Sequence, residues 1–124
     1  LNYQELTERI IGLAIEVHRQ TGSGLLESVH AACLGFELEQ AGIPILRQVG
    51  IPVLYKDMQI PLGFRADIVV AETIILEIKA VPGLLPAHEA QLLTYLRMSG
   101  LPIGLLMNFR ATRLKDGLKR FVTT

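Results

Sequence analysis

Residues 67–79, DIVVAETIILEIK, limit what this chain can fold into more than any other stretch. Two β-branched apolar runs flank a short polar break at Ala71-Glu72-Thr73, and both favour strands. The second run is apolar almost throughout, a pattern of strands buried on both faces. If the two runs pair as a hairpin centred near Glu72, Val70 lies opposite Ile74 and Asp67 lies opposite Glu77. Lys79 then shares a face with Glu77, because side chains along a strand alternate with period two. Two carboxylates directly across a ladder repel each other. Two arrangements would offset this: a divalent cation between the carboxylates, or an ordinary salt bridge from Lys79.

With 124 residues and half of them hydrophobic, the chain is long enough for one domain, 1–124, with a real core. Its formal net charge is zero, which excludes a protein that holds nucleic acid by bulk charge alone. The charge is uneven, however. Residues 1–42 carry six acids and two bases, whereas residues 97–124 carry six bases and one acid. The basic segment could meet phosphates, or it could meet the acidic helices of the same chain or of a second copy in a homo-oligomer. Cys33 is the only cysteine, which excludes an internal disulfide and a thiolate metal cluster. Its place in an apolar helical pattern predicts a core position. There is no apolar run long enough to span a bilayer and no signal-peptide pattern, so the expectation is a cytoplasmic protein with no membrane partner.

The remaining elements follow from periodicity and breakers. Residues 3–20 read as a helix with Leu6, Ile10, Leu13, Ala14 and Val17 on one stripe, and Asn2 with Glu5 fits a capping box. Thr21–Gly24 breaks the chain. A second helix is expected over 25–41, burying Leu26, Val29, Cys33, Phe36 and Leu38, and ending at Gly42 before Pro44. Residues 45–54 form a strand whose Pro52 predicts an edge position or a bulge. A turn at 55–59 leads into a strand over 60–70, and the next strand covers 74–81. Pro86 opens a third helix that runs to Ser99. Residues 101–108 form a strand reached by a helical crossover, hence parallel to its partner. A polar, basic loop over 110–117 precedes a short strand at 118–122. The order ααβββαβ(β) describes an α/β protein, a mixed sheet flanked by helices.

On the third helix, His88, Gln91 and Tyr95 share a face, with Leu92, Leu93 and Leu96 on the adjoining apolar one. Gln91 and Tyr95 could hydrogen-bond a water or a phosphate, or could form an ordinary boundary between core and solvent. Near the start of the second helix, Glu27 complements the helix dipole. His30, three residues on, is either a ligand or acid/base group or a solvent-facing histidine, and His18 offers less still.

Taken together, Asp67 and Glu77-x-Lys79 on adjacent strands, Glu27 on a preceding helix and Gln91-x-x-x-Tyr95 on a following one resemble the PD-(D/E)xK nuclease superfamily. The element order resembles its restriction-endonuclease-like core. More narrowly, Gly24-Leu-Leu-Glu27-Ser-Val-His30, Arg65-Ala-Asp67, Glu77-Ile-Lys79, His88-Glu-Ala-Gln91-Leu-Leu-Thr-Tyr95 and Asn108-Phe109 resemble the small bacterial GxxExxY family over nearly the whole chain. There are two departures. His30 stands where the family's name motif ends in tyrosine, and Ala66 rather than proline precedes Asp67.

The resemblance implies a nuclease that hydrolyses phosphodiester bonds of DNA or RNA with Mg²⁺ or Mn²⁺. Asp67, Glu77 and the Ile78 carbonyl would be metal ligands, with Glu27 binding directly or through water. Lys79 would orient or deprotonate the attacking water and offset developing charge. Gln91 would position water or substrate, and Tyr95 would contact a phosphate, with His88 a lesser candidate. Arg110, Arg113, Lys115, Lys119 and Arg120 would track the nucleic-acid backbone. The neutral charge and small size also fit a second class, a non-catalytic nucleic-acid- or protein-binding module that keeps the nuclease fold. A glycoside hydrolase fits poorly, because its two carboxylates must flank a sugar, whereas cross-strand neighbours sit too close together.

Overall fold

The computed structural model describes residues 2–123, apart from the side chains of residues 62 and 63. Two helices, α1 (Tyr3–Thr21) and α2 (Glu27–Gln40), precede three strands: β1 (Ile45–Tyr55), β2 (Met58–Val70) and β3 (Ile74–Lys79). Helix α3 (Pro86–Ser99), strand β4 (Ile103–Asn108), a 3-10 turn (Leu114–Gly117) and strand β5 (Leu118–Val122) follow. Among the described residues the strands form one five-stranded sheet in the order β1-β2-β3-β4-β5. Only β3 and β4 run parallel, joined by the α3 crossover, as their separation in sequence predicts. This mixed sheet flanked by helices is a restriction-endonuclease-like α/β fold, with the expected element order.

The sheet carries a hydrophobic layer on each face. Leu6, Ile10, Ala14 and Val17 of α1 and Leu34 and Leu38 of α2 pack on Ile68, Val70, Ile74, Leu76, Ile78, Ile103, Leu105 and Met107. Leu92, Tyr95 and Leu96 of α3 pack on the other face, against Ile51, Ala66, Val69, Ile75 and Leu106. Residues 74–78 of β3 are therefore buried from both sides, as their near-continuous apolar pattern, broken only by Glu77, predicts. Pro52 lies on edge strand β1, where the pairing register shifts between Ile51 and Val53. No described helix is long and apolar enough to cross a membrane.

Four expectations need correction. Helix α2 starts at Glu27 rather than Leu25, and it buries His30, Leu34, Gly35 and Leu38. Leu26, Val29 and Phe36 are exposed, and Cys33 is only half-buried at the edge of the core. The helix is apolar on more than one side, so spacing alone does not choose the face. The His30 ring, stacked 4.5 Å from Phe109, takes a core position that hydrophobicity would give to Val29. On α3, Leu93 is exposed while Leu92 and Leu96 are buried. At the start of α1 the Asn2 side chain accepts from Glu5 N–H (2.8 Å) as a cap should. Glu5, however, takes its return bond from the Asn2 side-chain amide rather than the backbone, so the reciprocal box is incomplete.

One local feature of the sheet positions everything that follows. Ile68 and Val70 face the α1/α2 layer, while Val69 and Ala66 belong to the α3 layer. Alternate residues of a regular strand share a face. Ala66 and Ile68 do not, so the alternation breaks at Asp67. Across from it in β1, Gln48 adopts φ +53°, and the recorded β1–β2 pairs pass from Arg47↔Ile68 to Val49↔Ala66.

Candidate functional site

Strands β2 and β3 pair through Val70↔Ile74, Val69↔Ile75 and Ile68↔Leu76, the register expected for a hairpin centred on Glu72. One step further the ladder changes character. Ile78 N–H donates to Asp67 Oδ2 (2.7 Å), and Asp67 N–H donates to Glu77 Oε1 (3.2 Å). Each carboxylate thus caps a backbone N–H of the opposite strand. The strands open while their backbone donors stay satisfied, and two acidic side chains are held side by side.

Burial makes this arrangement electrostatically uncomfortable. Glu77 is 4 % exposed, and its carboxyl is pushed up to about 8, first by burial and then by the neighbouring Asp67 charge. Asp67 is also raised, mainly by burial, against the opposing effects of the Ile78 N–H bond and the Lys79 charge. Lys79 lowers both groups but does not neutralise them. Among the described residues the ion pairs are Arg19–Glu16, Arg47–Glu39 and Lys119–Glu89, so the simple Lys79 salt bridge is not formed.

Glu27 arrives from the other side. As the first residue of α2 it reaches past the end of β3, and its Oε2 accepts from Ala80 N–H (3.1 Å). Its charge adds to the upward push on Asp67 and Glu77. An open pocket of about 350 Å³ lies between, lined by Glu27, Ser28, Arg47, Gln48 and Asp67 among others. Tyr95 approaches from α3. It is 4 % exposed and packs on Phe64 at 4.9 Å between ring centroids. Burial and the charges of Glu77 and Asp67 push its hydroxyl up to about 12, so it stays protonated. Gln91, one turn earlier, is half-buried.

The histidines do other work. His88 Nδ1 accepts from Leu85 N–H (2.9 Å) and so caps the start of α3. His30 is fully buried rather than solvent-facing, its pKa is lowered by burial and by nearby His18, and its Nε2 has no hydrogen-bond partner. His18 Nε2 bonds Ala111 C=O (2.8 Å). The basic residues do not converge on the carboxylates. Lys119 is held by Glu89 (2.7 Å), and Arg120 lies on β5, two strands away from β3. Arg113 and Lys115 line a separate pocket against α1. Arg110 follows β4 at the sheet end shared with Lys79.

Asn108, to which the residue pattern assigned no role, secures that end of the sheet. Its Oδ1 accepts from Val81 N–H (3.1 Å) and Arg110 N–H (3.2 Å), while its Nδ2 donates to Val81 C=O (3.0 Å). Phe109 N–H donates to Lys79 C=O (2.8 Å). A lone Asn at the end of an apolar strand was the available signal. Gln48 and Arg47, which border Asp67, gave none.

Two adjacent carboxylates, one buried and one half-buried, with a third one near form an oxygen donor set suited to a hard divalent cation. Among the described residues no three Asp, Glu, His or Cys side chains already surround a single point. Glu27, bonded at Ala80, is the member that would have to swing inward.

An opened β2–β3 hairpin bearing Asp67 and Glu77-x-Lys79, in a mixed sheet flanked by helices, defines the class of the protein. The chain belongs to the PD-(D/E)XK nuclease superfamily, whose family model matches residues 4–121. No curated protein and no solved structure matches it.

Proposed function

We propose that this protein is a divalent-cation-dependent nuclease that hydrolyses phosphodiester bonds of DNA or RNA. The observation that carries the reading is the side-by-side placement of half-buried Asp67 and buried Glu77 at the opened end of β2–β3, with Lys79 close enough to lower both pKa values without neutralising them. Two carboxylates held side by side and partly withdrawn from water are unstable as two free anions, and a cation relieves them. Superfamily nucleases generally use divalent metals such as Mg²⁺.

Asp67 and Glu77 would hold the ion together with the Ile78 carbonyl, and Glu27 would complete the set directly or through water. A bound Mg²⁺ or Mn²⁺ would supply Lewis acidity toward the phosphate and an acidified water. Lys79 would orient the attacking water and offset negative charge on the phosphoryl oxygens. The Tyr95 hydroxyl, kept protonated, would act as a hydrogen-bond donor to a phosphate or water and not as a base, and Gln91 would orient water or substrate beside it. Within the superfamily, the Gly24-x-x-Glu27-x-x-His30 segment with Arg65-Ala-Asp67 supports placement in the small bacterial GxxExxY group. We further take residues 1–124 as a single cytoplasmic domain.

Purified protein with Mg²⁺ or Mn²⁺ should cut DNA or RNA, and Asp67→Ala or Lys79→Ala should abolish cutting while leaving the circular dichroism spectrum unchanged. Cutting that survives both substitutions overturns the assignment. The incomplete convergence of Glu27 favours a second reading, a binding module that keeps the nuclease fold without turnover. Calorimetric titration separates the two: absence of Mn²⁺ binding to the wild type selects the module.

A further inference from the structure

The C-terminal basic residues form a site away from the carboxylates. The loop after β4 runs back against the end of α1, where His18 Nε2 bonds Ala111 C=O (2.8 Å) and fixes the loop to the helix. A pocket of about 380 Å³ opens at this junction, lined by Ile15, His18 and Arg19 of α1 and by Thr112, Arg113, Leu114 and Lys115. Three of these seven side chains are cationic, and no acid is among them.

The acids nearby leave the pocket positive. Glu16 takes Arg19 in a bidentate contact, so one of the three cations is largely matched. Asp116 is exposed in the 3-10 turn beside Lys115. Arg113 and Lys115 have no ion-pair partner among the described residues, unlike Lys119, which Glu89 holds. Both are exposed, while Leu114 between them is buried and anchors the turn. A buried anchor with unpaired cations on either side presents fixed positive charge beside the Thr112 hydroxyl, the chemistry that binds a phosphate.

Position separates this pocket from a generic basic patch. Phe109 N–H bonds Lys79 C=O (2.8 Å), so the loop departs from the end of β3 that bears the candidate site. Thr112 is three residues further on, and three residues span at most about 11 Å. A strand advances about 3.4 Å per nucleotide along its helix axis. Thr112 therefore lies within about three nucleotide steps of Phe109, at the sheet end that carries Lys79.

We infer that Arg113 and Lys115, with Thr112 and Arg19, form a second phosphate-binding site that holds the backbone of the same nucleic-acid strand a few nucleotides from the Asp67–Glu77 centre. This rests on the nuclease reading only for the identity of the ligand, and strand binding can be measured with no cleavage. It narrows the expected basic tract of five residues to two, with Arg110, Lys119 and Arg120 outside the site.

The test is fluorescence anisotropy of labelled single-stranded DNA, duplex DNA and RNA oligonucleotides in EDTA, across a salt series. Arg113→Gln/Lys115→Gln should weaken binding about tenfold at low salt and make the log–log salt slope shallower by about two. Arg9→Gln, an exposed cation elsewhere on α1, should leave both unchanged within about twofold. Mn²⁺ affinity of the double variant should equal the wild type's. The inference is overturned if the wild type binds none of the three probes, if the double variant binds as the wild type does, or if Arg9→Gln weakens binding as much. Loss of cutting with strand binding intact would break the nuclease reading and leave this site standing.

Discussion

The two ends of the β2–β3 hairpin are built from the same strands and differ in what closes them. At the turn end, Val70↔Ile74, Val69↔Ile75 and Ile68↔Leu76 pair through backbone bonds, and their side chains are packed on both faces. At the open end, Asp67 and Glu77 substitute carboxylate oxygens for backbone carbonyls, each bonding the other strand's N–H. The closed end contributes hydrophobic stability. The open end preserves hydrogen-bond satisfaction while placing two carboxylates side by side, Glu77 buried and Asp67 half-buried. The difference teaches how a site can be cut into a continuous sheet: the β2–β3 ladder ends at Ile68↔Leu76, and the next N–H groups take ionisable acceptors in place of carbonyls.

The sharpest way to break this comparison is substitution at the open end. Asp67→Asn keeps an acceptor for Ile78 N–H but removes the charge, and Lys79→Met keeps the length of the side chain. Each should lower the cutting rate by roughly a hundredfold or more, as loss of one preorganised charge-stabilising group typically does, with no fall in the unfolding midpoint. The closed end should behave in the opposite way. Ile74→Ala empties a fully buried position and should cost about 2–5 kcal/mol in chemical denaturation, while Mn²⁺ affinity measured under folded conditions stays the same. If Ile74→Ala abolishes metal binding in folded protein, or Asp67→Asn unfolds the chain, the two ends are not separable units.

Much of this division was legible in the residues. The near-continuous apolar run 74–78 demanded a central strand, the three-residue polar break set the hairpin register, and that register brought Asp67 to Glu77. Other parts depend on contacts that spacing does not encode. The buried face of α2 turns on His30 stacking against Phe109, a residue far away in sequence. The twist at Asp67 involves Gln48 in a left-handed conformation, and no residue type marks it. The distance of Lys79 from its neighbours, which excludes the plain salt bridge, is likewise set by the opening of the strands. The C-terminal cations read as one tract in sequence but divide between Glu89, the α1 pocket and the β5 edge once the chain folds.

A pH series sharpens the electrostatic half of the comparison. The folded-state pKa of Glu77 is raised from 4.5 to about 8, so the native state holds its proton more tightly than the unfolded chain does. Stability from this group is therefore fully present below about pH 4.5 and is lost as pH rises toward 8, at about 1.4 kcal/mol per unit. The raised Asp67 adds to the same trend. Metal-free wild type should thus lose stability across that window. Glu77→Gln, which retains an acceptor for Asp67 N–H, should flatten most of the slope, and added Mg²⁺ at the alkaline end should restore wild-type stability without affecting Glu77→Gln. A wild-type profile that is flat from pH 5 to 8 in EDTA would show that the open end carries no such charge burden.

Glu27 tests where the open end stops, and the expected effect is the smallest. It is exposed, it is bonded to Ala80 N–H rather than to the carboxylate pair, and it lies on a helix from the opposite side of the site. A group that supports metal ligands without being fixed among them usually contributes about ten- to a hundredfold in affinity. Glu27→Gln keeps the Ala80 bond and removes only the charge, so Mn²⁺ affinity should fall about tenfold, or about 1.4 kcal/mol, with the α2 start intact by amide exchange. A loss as large as that of Asp67→Asn would mean that Glu27 swings in to become a full ligand. No loss would confine the metal chemistry to the two carboxylates of the opened hairpin and leave α2 a structural wall of the pocket.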